Sequence, residues 1–209
     1  MAKRCWLMKS EPDAFGIDDL ARVRVEPWTG VRNFQARNFM RDEMHVGDDV
    51  LFYHSNASPS GVAGLATVHR TGVVDETQFE PSSPYYDPRA TKSTPIWTCV
   101  EVAYVRTFAE LVSLDDLRAE PRLADMLVLR RGMRLSVQPV SDAHFAVVCE
   151  LGERGDAPAR PARAGGRATA SATTKAKATT KERAAMKASA TTKTKVATKA
   201  KARGTKRAR

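Results

Sequence analysis

The stretch Gly47-Asp48-Asp49-Val50-Leu51-Phe52-Tyr53-His54-Ser55-Asn56-Ala57-Ser58-Pro59-Ser60-Gly61-Val62 decides the fold class. Gly47-Asp48-Asp49 has the composition of a turn, and Val50 to Ser55 is a short, dense run of strand-forming residues. Ser58-Pro59-Ser60-Gly61 is a second turn, leading directly into a further strand region from Val62 to Val74. Here as elsewhere in the chain, strands are separated by a turn more often than by a long helix. The apolar density of the first strand means that both its faces are partly covered.

The same reading extends outward. On the N-terminal side, Cys5-Trp6-Leu7-Met8 is a buried strand bounded by charge. Ile17 to Val23 forms one or two helical turns, with Asp18 and Asp19 at the end where carboxylates suit the helix dipole. Pro27-Trp28-Thr29-Gly30 is a loop, and Asn33 caps a helix running to about Met44. On the C-terminal side, Pro81 to Pro95 is an ordered loop or flap, and Trp97 to Phe108 alternates as a long strand. Ser113-Leu114-Asp115-Asp116 is a capping box with Asp in place of Glu, opening a helix that ends near Glu120-Pro121. Arg130 to Pro139 is a basic turn followed by a strand, and Ser141 caps a last helix through Leu151. About five to six strands with short helices between them predict an α+β fold. A small mixed β-barrel fits this better than a doubly wound sheet.

Charge divides the chain in two. Gly152 to Arg209 holds 17 Lys and Arg against three acids, a net of +14, and leaves 17 basic and 21 acidic residues in 1–151, a net of −4. Every Trp, Tyr and Phe lies before residue 146. A strongly charged segment without aromatics cannot bury enough apolar surface to offset the entropy of ordering. Residues 152–209 are therefore expected to be a disordered basic tail behind a folded domain at 1–151. Ala-Thr-Thr-Lys recurs at 172–175, 178–181 and 190–193, which is low complexity and not a repeat fold. As a coil the tail would span roughly 40 Å, and it would draw the domain to nucleic acid by releasing counterions, with no sequence preference. Its Lys/Ala/Thr composition resembles the tails of linker-histone-like bacterial proteins.

The folded part lacks GxGxxG, Walker, HExxH and GxSxG patterns. Cys5, Cys99 and Cys149 are far apart and lie in apolar runs, so they read as buried thiols of a reducing compartment. No metal, no cofactor and no membrane span are expected, and the chain is placed in the cytoplasm, on the nucleoid if the cell is bacterial. Glu11, Asp13, Asp18 and Asp19 form an acidic cluster that keeps a rival open, a nuclease or base hydrolase using Mg²⁺. Helix-start carboxylates are the plainer reading. A histone-like DNA-compacting protein is a second rival.

Several runs set aromatic and hydrogen-bonding residues beside basic ones. They are Trp6-Leu7-Met8-Lys9-Ser10-Glu11-Pro12, Trp28-Thr29-Gly30-Val31-Arg32-Asn33, Ala36-Arg37-Asn38, Phe52-Tyr53-His54-Ser55-Asn56, Ser83-Pro84-Tyr85-Tyr86-Asp87-Pro88, and Arg130-Arg131-Gly132 through Leu135-Ser136-Val137-Gln138-Pro139. In order and over about residues 4 to 151, these resemble the EVE domain, a PUA-like barrel family related to the YTH readers of methylated adenine. The resemblance implies a reader of a modified base, modified cytosine in DNA before RNA, with no enzymatic activity.

Reading a modification requires taking the base out of its stack and enclosing it. An aromatic plate supplies about 1–3 kcal/mol of stacking, and short polar groups read the base edge. Trp28 is accordingly expected to be the plate. Ser10, Thr29, Asn33 and Ser55 are expected to hydrogen-bond the base, with Tyr53 and His54 as a second wall. Strand alternation allows only one of Tyr53 and His54 to face the pocket. Lys9, Arg32, Arg37, Arg130 and Arg131 are expected to hold the nucleic-acid backbone. Asn33 has an alternative role as a plain helix cap, Trp28 one as plain core, and Tyr85 and Tyr86 either close over the ligand or pack their loop down.

Overall fold

The computed structural model describes residues 3–154. The tail expected at 152–209 lies outside the described residues from 155 onward. The described residues hold six strands and four α-helices: β1 (Cys5–Ser10), α1 (Ile17–Val23), β2 (Val25–Pro27), α2 (Phe34–Asn38), β3 (Asp49–His54), β4 (Gly61–Val74), β5 (Thr98–Ser113), α3 (Leu114–Ala119), β6 (Val137–Val140) and α4 (Asp142–Glu153). They form one mixed sheet in the order β2-β5-β4-β3-β1-β6. The fold is α+β.

The two strand regions read at 50–55 and 62–74 are β3 and β4, which pair antiparallel with Leu51 opposite Leu65. β4 continues against β5 along a ladder with four register irregularities. Each irregularity adds twist and bend. β1 runs parallel to β3, with Trp6 opposite Val50 and Ser10 opposite His54. The short edge strand β2 pairs with β5, and β6 closes the other side against β1.

Period-two alternation sends side chains to two cores. Trp6, Met8, Val50 and Phe52 join Trp28, Met40, Val100 and Val102 on one face of the sheet. Leu7, Leu51 and Tyr53 join Phe108, Leu117, Leu123 and Val148 under α3 and α4 on the other. The capping box at Ser113 is formed, with the Ser113 hydroxyl accepting from the Asp116 N–H and the Asp116 carboxylate accepting from the Ser113 N–H. The helix expected from Asn33 to Met44 divides. α2 lasts five residues and passes into a π-helical turn at Phe39–Glu43. β2, inside the expected loop region, has only three residues and carries no readable period. Among the described residues no helix is long and apolar enough to cross a membrane.

Candidate functional site

Because β1 and β3 are parallel, both end at the same edge of the sheet. Ser10 and Ser55, 45 residues apart in the chain, meet there: the Ser55 N–H and hydroxyl both donate to the Ser10 carbonyl, at 2.8 and 3.2 Å. A cleft of about 980 Å³ opens at this point. Its lining comes from five separate stretches: 9–15 at and beyond the end of β1, Glu26 to Arg32, Ser55-Asn56, Tyr85, and Met133 to Ser136. The volume lies at the upper end of the ~300–1,000 Å³ typical of small-molecule sites.

Trp28 forms the floor. Its ring meets Phe52 edge-on at 5.3 Å, and only 7% of the residue is exposed. Tyr85 is the open aromatic of the cleft, 44% exposed, with its ring lying against Gly30. Gly30 has φ +81°, and a Cβ there would stand 2.9 Å from the Tyr85 ring. Glycine is therefore required twice over, by backbone angle and by space.

The loop carrying Trp28 and Thr29 is held by Asp75. This buried carboxylate accepts from the Gly30 N–H at 2.9 Å, from Arg32 Nη1 at 2.8 Å and from the Thr77 N–H at 3.0 Å. Burial alone would raise the Asp75 pKa, but the bonds from Arg32, Thr77 and Gly30 outweigh it and hold the carboxyl below its ordinary value. Arg32 also donates from Nη2 to Thr77, from Nε to the Tyr85 carbonyl and from Nη1 to the Val31 carbonyl. Its guanidinium thus ties the floor loop to the 75–87 segment.

Lys9, at the end of β1, is half-buried, and its side chain lies on the Tyr53 side of the sheet. Its ammonium donates to the Met133 carbonyl at 3.3 Å and lies 5.8 Å from the centre of the Tyr53 ring. Burial pushes its pKa down. The Ser10 hydroxyl donates to the Phe15 carbonyl at 2.7 Å. A serine hydroxyl has one proton and two acceptor lone pairs. Ser10 and Ser55 both direct their protons to main-chain carbonyls, so both present lone pairs elsewhere.

Six of the expected site residues line this cleft: Lys9, Ser10, Trp28, Thr29, Arg32 and Ser55. The other six do not. Asn33 caps α2, its side chain accepting from the Gln35 and Ala36 N–H groups. Tyr53 points to the far core and donates to Ser60. His54 Nε2 accepts from the Ile17 N–H at 3.1 Å, which makes it a fixture of the start of α1. Arg37 donates to the Ile96 carbonyl and to Asn38 and sits over Phe34 and Trp97. Arg130 and Arg131 are exposed on the turn before β6, outside the lining. Reasoning from sequence did not single out Arg134, Met133, Phe15 or Glu26, which do line the cleft. Nor did it single out Asp75. Arg134 lay within a quoted motif, two residues after Gly132, whose φ is +79°.

Comparison with known proteins agrees with this architecture. The EVE domain family pattern matches residues 4–151. Thymocyte nuclear protein 1 of Homo sapiens is 37% identical over 168 residues, covering 71% of this chain and 74% of that protein. Its counterpart in Danio rerio is 41% identical over 165 residues, covering 70% and 71%. Among solved structures, a hypothetical protein from Leishmania major is 45% identical with a TM-score of 0.70, covering 73% of this chain and 96% of that one. Human THYN1 in complex with DNA containing 5-methylcytosine is 37% identical with a TM-score of 0.67, covering 72% and 98%. Two curated relatives above 30% identity and a family pattern spanning the whole described core point the same way, and the chain belongs to the EVE domain family.

Proposed function

We propose that this protein binds DNA and reads a modified cytosine by enclosing the flipped base in the cleft at the ends of β1 and β3. The observation that carries this reading is the hydrogen-bonding state of the cleft. Ser10 and Ser55 direct their protons inward and offer acceptors to a ligand. Cytosine presents a donor at N4, whereas thymine presents an acceptor at O4 beside the same C5 methyl. Acceptors in the cleft therefore favour 5-methylcytosine over thymine. Trp28 supplies the floor and Tyr85 a stacking face, while Thr29 adds a hydroxyl at the base edge. The human relative in complex with 5-methylcytosine-containing DNA supports the choice of ligand class.

The protein acts as a binding module and not as an enzyme. Two of the four acids that kept a nuclease open are otherwise engaged: Asp19 accepts from the Gly16 N–H and pairs with Arg22, and Glu11 accepts from Asn56. Among the described residues no group of three His, Cys, Asp or Glu is placed to hold a metal ion. The domain at 1–151 supplies selectivity, and the basic segment 152–209 supplies salt-dependent attraction that tethers it to DNA.

The test titrates the full chain with oligonucleotides differing at one position: cytosine, 5-methylcytosine or thymine, in DNA and in RNA. The methyl should add roughly tenfold in affinity, and 5-methylcytosine should exceed thymine by about tenfold or more. Equal affinity for all three bases would reject the reading, and Trp28→Ala should remove the preference without abolishing binding.

A further inference from the structure

Most carboxylates of the described core are satisfied from within. Asp13, Asp18, Glu26, Glu76, Glu80 and Glu110 are not: none of them has a hydrogen-bond or ion-pair partner among the described residues. All of these are exposed, where water serves them, except Glu26. Glu26 is half-buried, and it alone of this group lines the cleft. The other acid of the cleft, Glu11, is occupied by Asn56. The sheet sets the place of Glu26. It stands opposite Val102 in the pairing of β2 with β5, and the Trp28 N–H donates to the Val100 carbonyl at 2.8 Å, which carries the pairing past the end of β2. Directly opposed residues share a face, and so do residues two apart on one strand. Glu26 is therefore on the face of Val102, Val100 and Trp28, beside the floor of the cleft. Partial burial strips water from its carboxylate, and no protein donor replaces it. An ionised carboxylate offers acceptors only. It repels phosphate and suits a ligand atom that donates. On a pyrimidine that atom is the cytosine 4-amino group, for which Glu and Asp are the matching side chains; thymine carries an acceptor at the same position.

We propose that Glu26 is a specificity-determining residue of the cleft: its carboxylate accepts from the 4-amino group of the enclosed cytosine and turns away thymine, whose O4 would meet it acceptor to acceptor. The inference rests on the base-reading function above and names the side chain that reads position 4. It also divides the work among the acceptors of the cleft. A Ser10 or Ser55 hydroxyl can rotate its proton toward a thymine O4, at the cost of its bond to a main-chain carbonyl. A carboxylate has no proton to turn outward, so the stricter test of the base falls to Glu26. The methyl at C5 is common to 5-methylcytosine and thymine, and Glu26 has no part in sensing it.

The test measures binding of the full chain to three oligonucleotides that differ in the group at position 4 of one base: 5-methylcytosine, thymine, and 5-methylpyrimidin-2-one, which has hydrogen in place of the amino group. The unaltered protein should bind 5-methylcytosine about tenfold more tightly than either of the others, as expected for one charge-assisted bond. Glu26→Gln should weaken 5-methylcytosine about tenfold and leave thymine as it was or tighter, because the Gln amide can donate to O4. In that variant 5-methylcytosine and the pyrimidinone should bind within about threefold of each other. A damaged fold would weaken all three oligonucleotides together and cannot produce this pattern. Glu110→Gln, at an exposed acid outside the cleft, makes the same change in net charge and should shift all three by one factor. Glu26→Gln with the ratios of the unaltered protein overturns the inference and leaves the base reading standing. An unaltered protein that binds the pyrimidinone as tightly as 5-methylcytosine also overturns it, with no variant needed. Equal binding of all three bases and of unmodified cytosine by the unaltered protein rejects the base reading, and this inference with it.

Discussion

His54 shows how a residue near the cleft is fixed without belonging to it. Its Nε2 must be unprotonated to accept the Ile17 N–H. Burial lowers its pKa, opposed by the Asp18 carboxylate. The folded pKa lies below the unfolded one, so the neutral form is favoured on folding. Its contribution is present above the unfolded value of about 6.5 and is lost as pH falls through and below it. The urea midpoint should drop between about pH 7.5 and pH 5.5, and His54→Gln should flatten that drop. Gly30 gives a sharper case. Gly30→Ala forces a Cβ against the Tyr85 ring at a left-handed backbone angle, and should lower stability by roughly 1–3 kcal/mol. It should also reduce discrimination between 5-methylcytosine and thymine, read as a ratio of Kd values. At this scale the sequence was informative where a motif falls at the end of a strand. Ser10, Trp28 and Ser55 sit beside strand ends, and all three line the cleft. It was least informative where a polar side chain has two plausible partners, as with Asn33 and Arg37, because only the fold decides whether such a group faces a ligand or its own backbone.

Among the elements, the segment from Asp75 to Trp97 does the most to shape the cleft. It is pinned at several points. Gln78 bonds the carbonyls of Asp75 and Trp97 and the N–H groups of Ile96 and Trp97, and Asp87 accepts from the Trp97 indole and from Arg89. The flap expected at 81–95 is thus anchored at both ends. Asp75→Asn should lower unfolding free energy by about 2–3 kcal/mol, since it weakens charge-assisted bonds to Arg32 and Gly30. Hydrogen exchange at Gly30 and Thr77 should speed up in that variant. Asn33→Ala should remove about 1 kcal/mol with little change in base preference, because the residue caps α2 and lies outside the cleft. Strands β1, β3, β4 and β5 were legible because each is a long apolar or alternating run. β2 was not, since three residues ending in Pro27 make an edge strand with no period. The cleft wall at 133–136 was legible only as a basic turn. Its position depends on a ladder between β6 and β1, partners more than 120 residues apart, which no local pattern encodes.

On the proposed function, the whole molecule separates attraction from selection. Residues 1–151 carry a net of −4 and 152–209 a net of +14. Removing 155–209 should weaken binding to every DNA by a similar factor and flatten the salt dependence, while the ratio between 5-methylcytosine and thymine persists. The parallel pairing of β1 with β3 has a further consequence. The two serines at the cleft meet only after the intervening 44 residues are in place, and the last wall arrives with residues 133–136. No fragment ending before residue 133 contains every stretch that lines the cleft. The cleft is therefore a readout of completed folding, and whatever fills it must stabilise the entire cooperative unit. A ligand at a hundred times its Kd should add about 2.7 kcal/mol to unfolding, so a rise in melting temperature can rank candidate nucleotides before any of them is labelled.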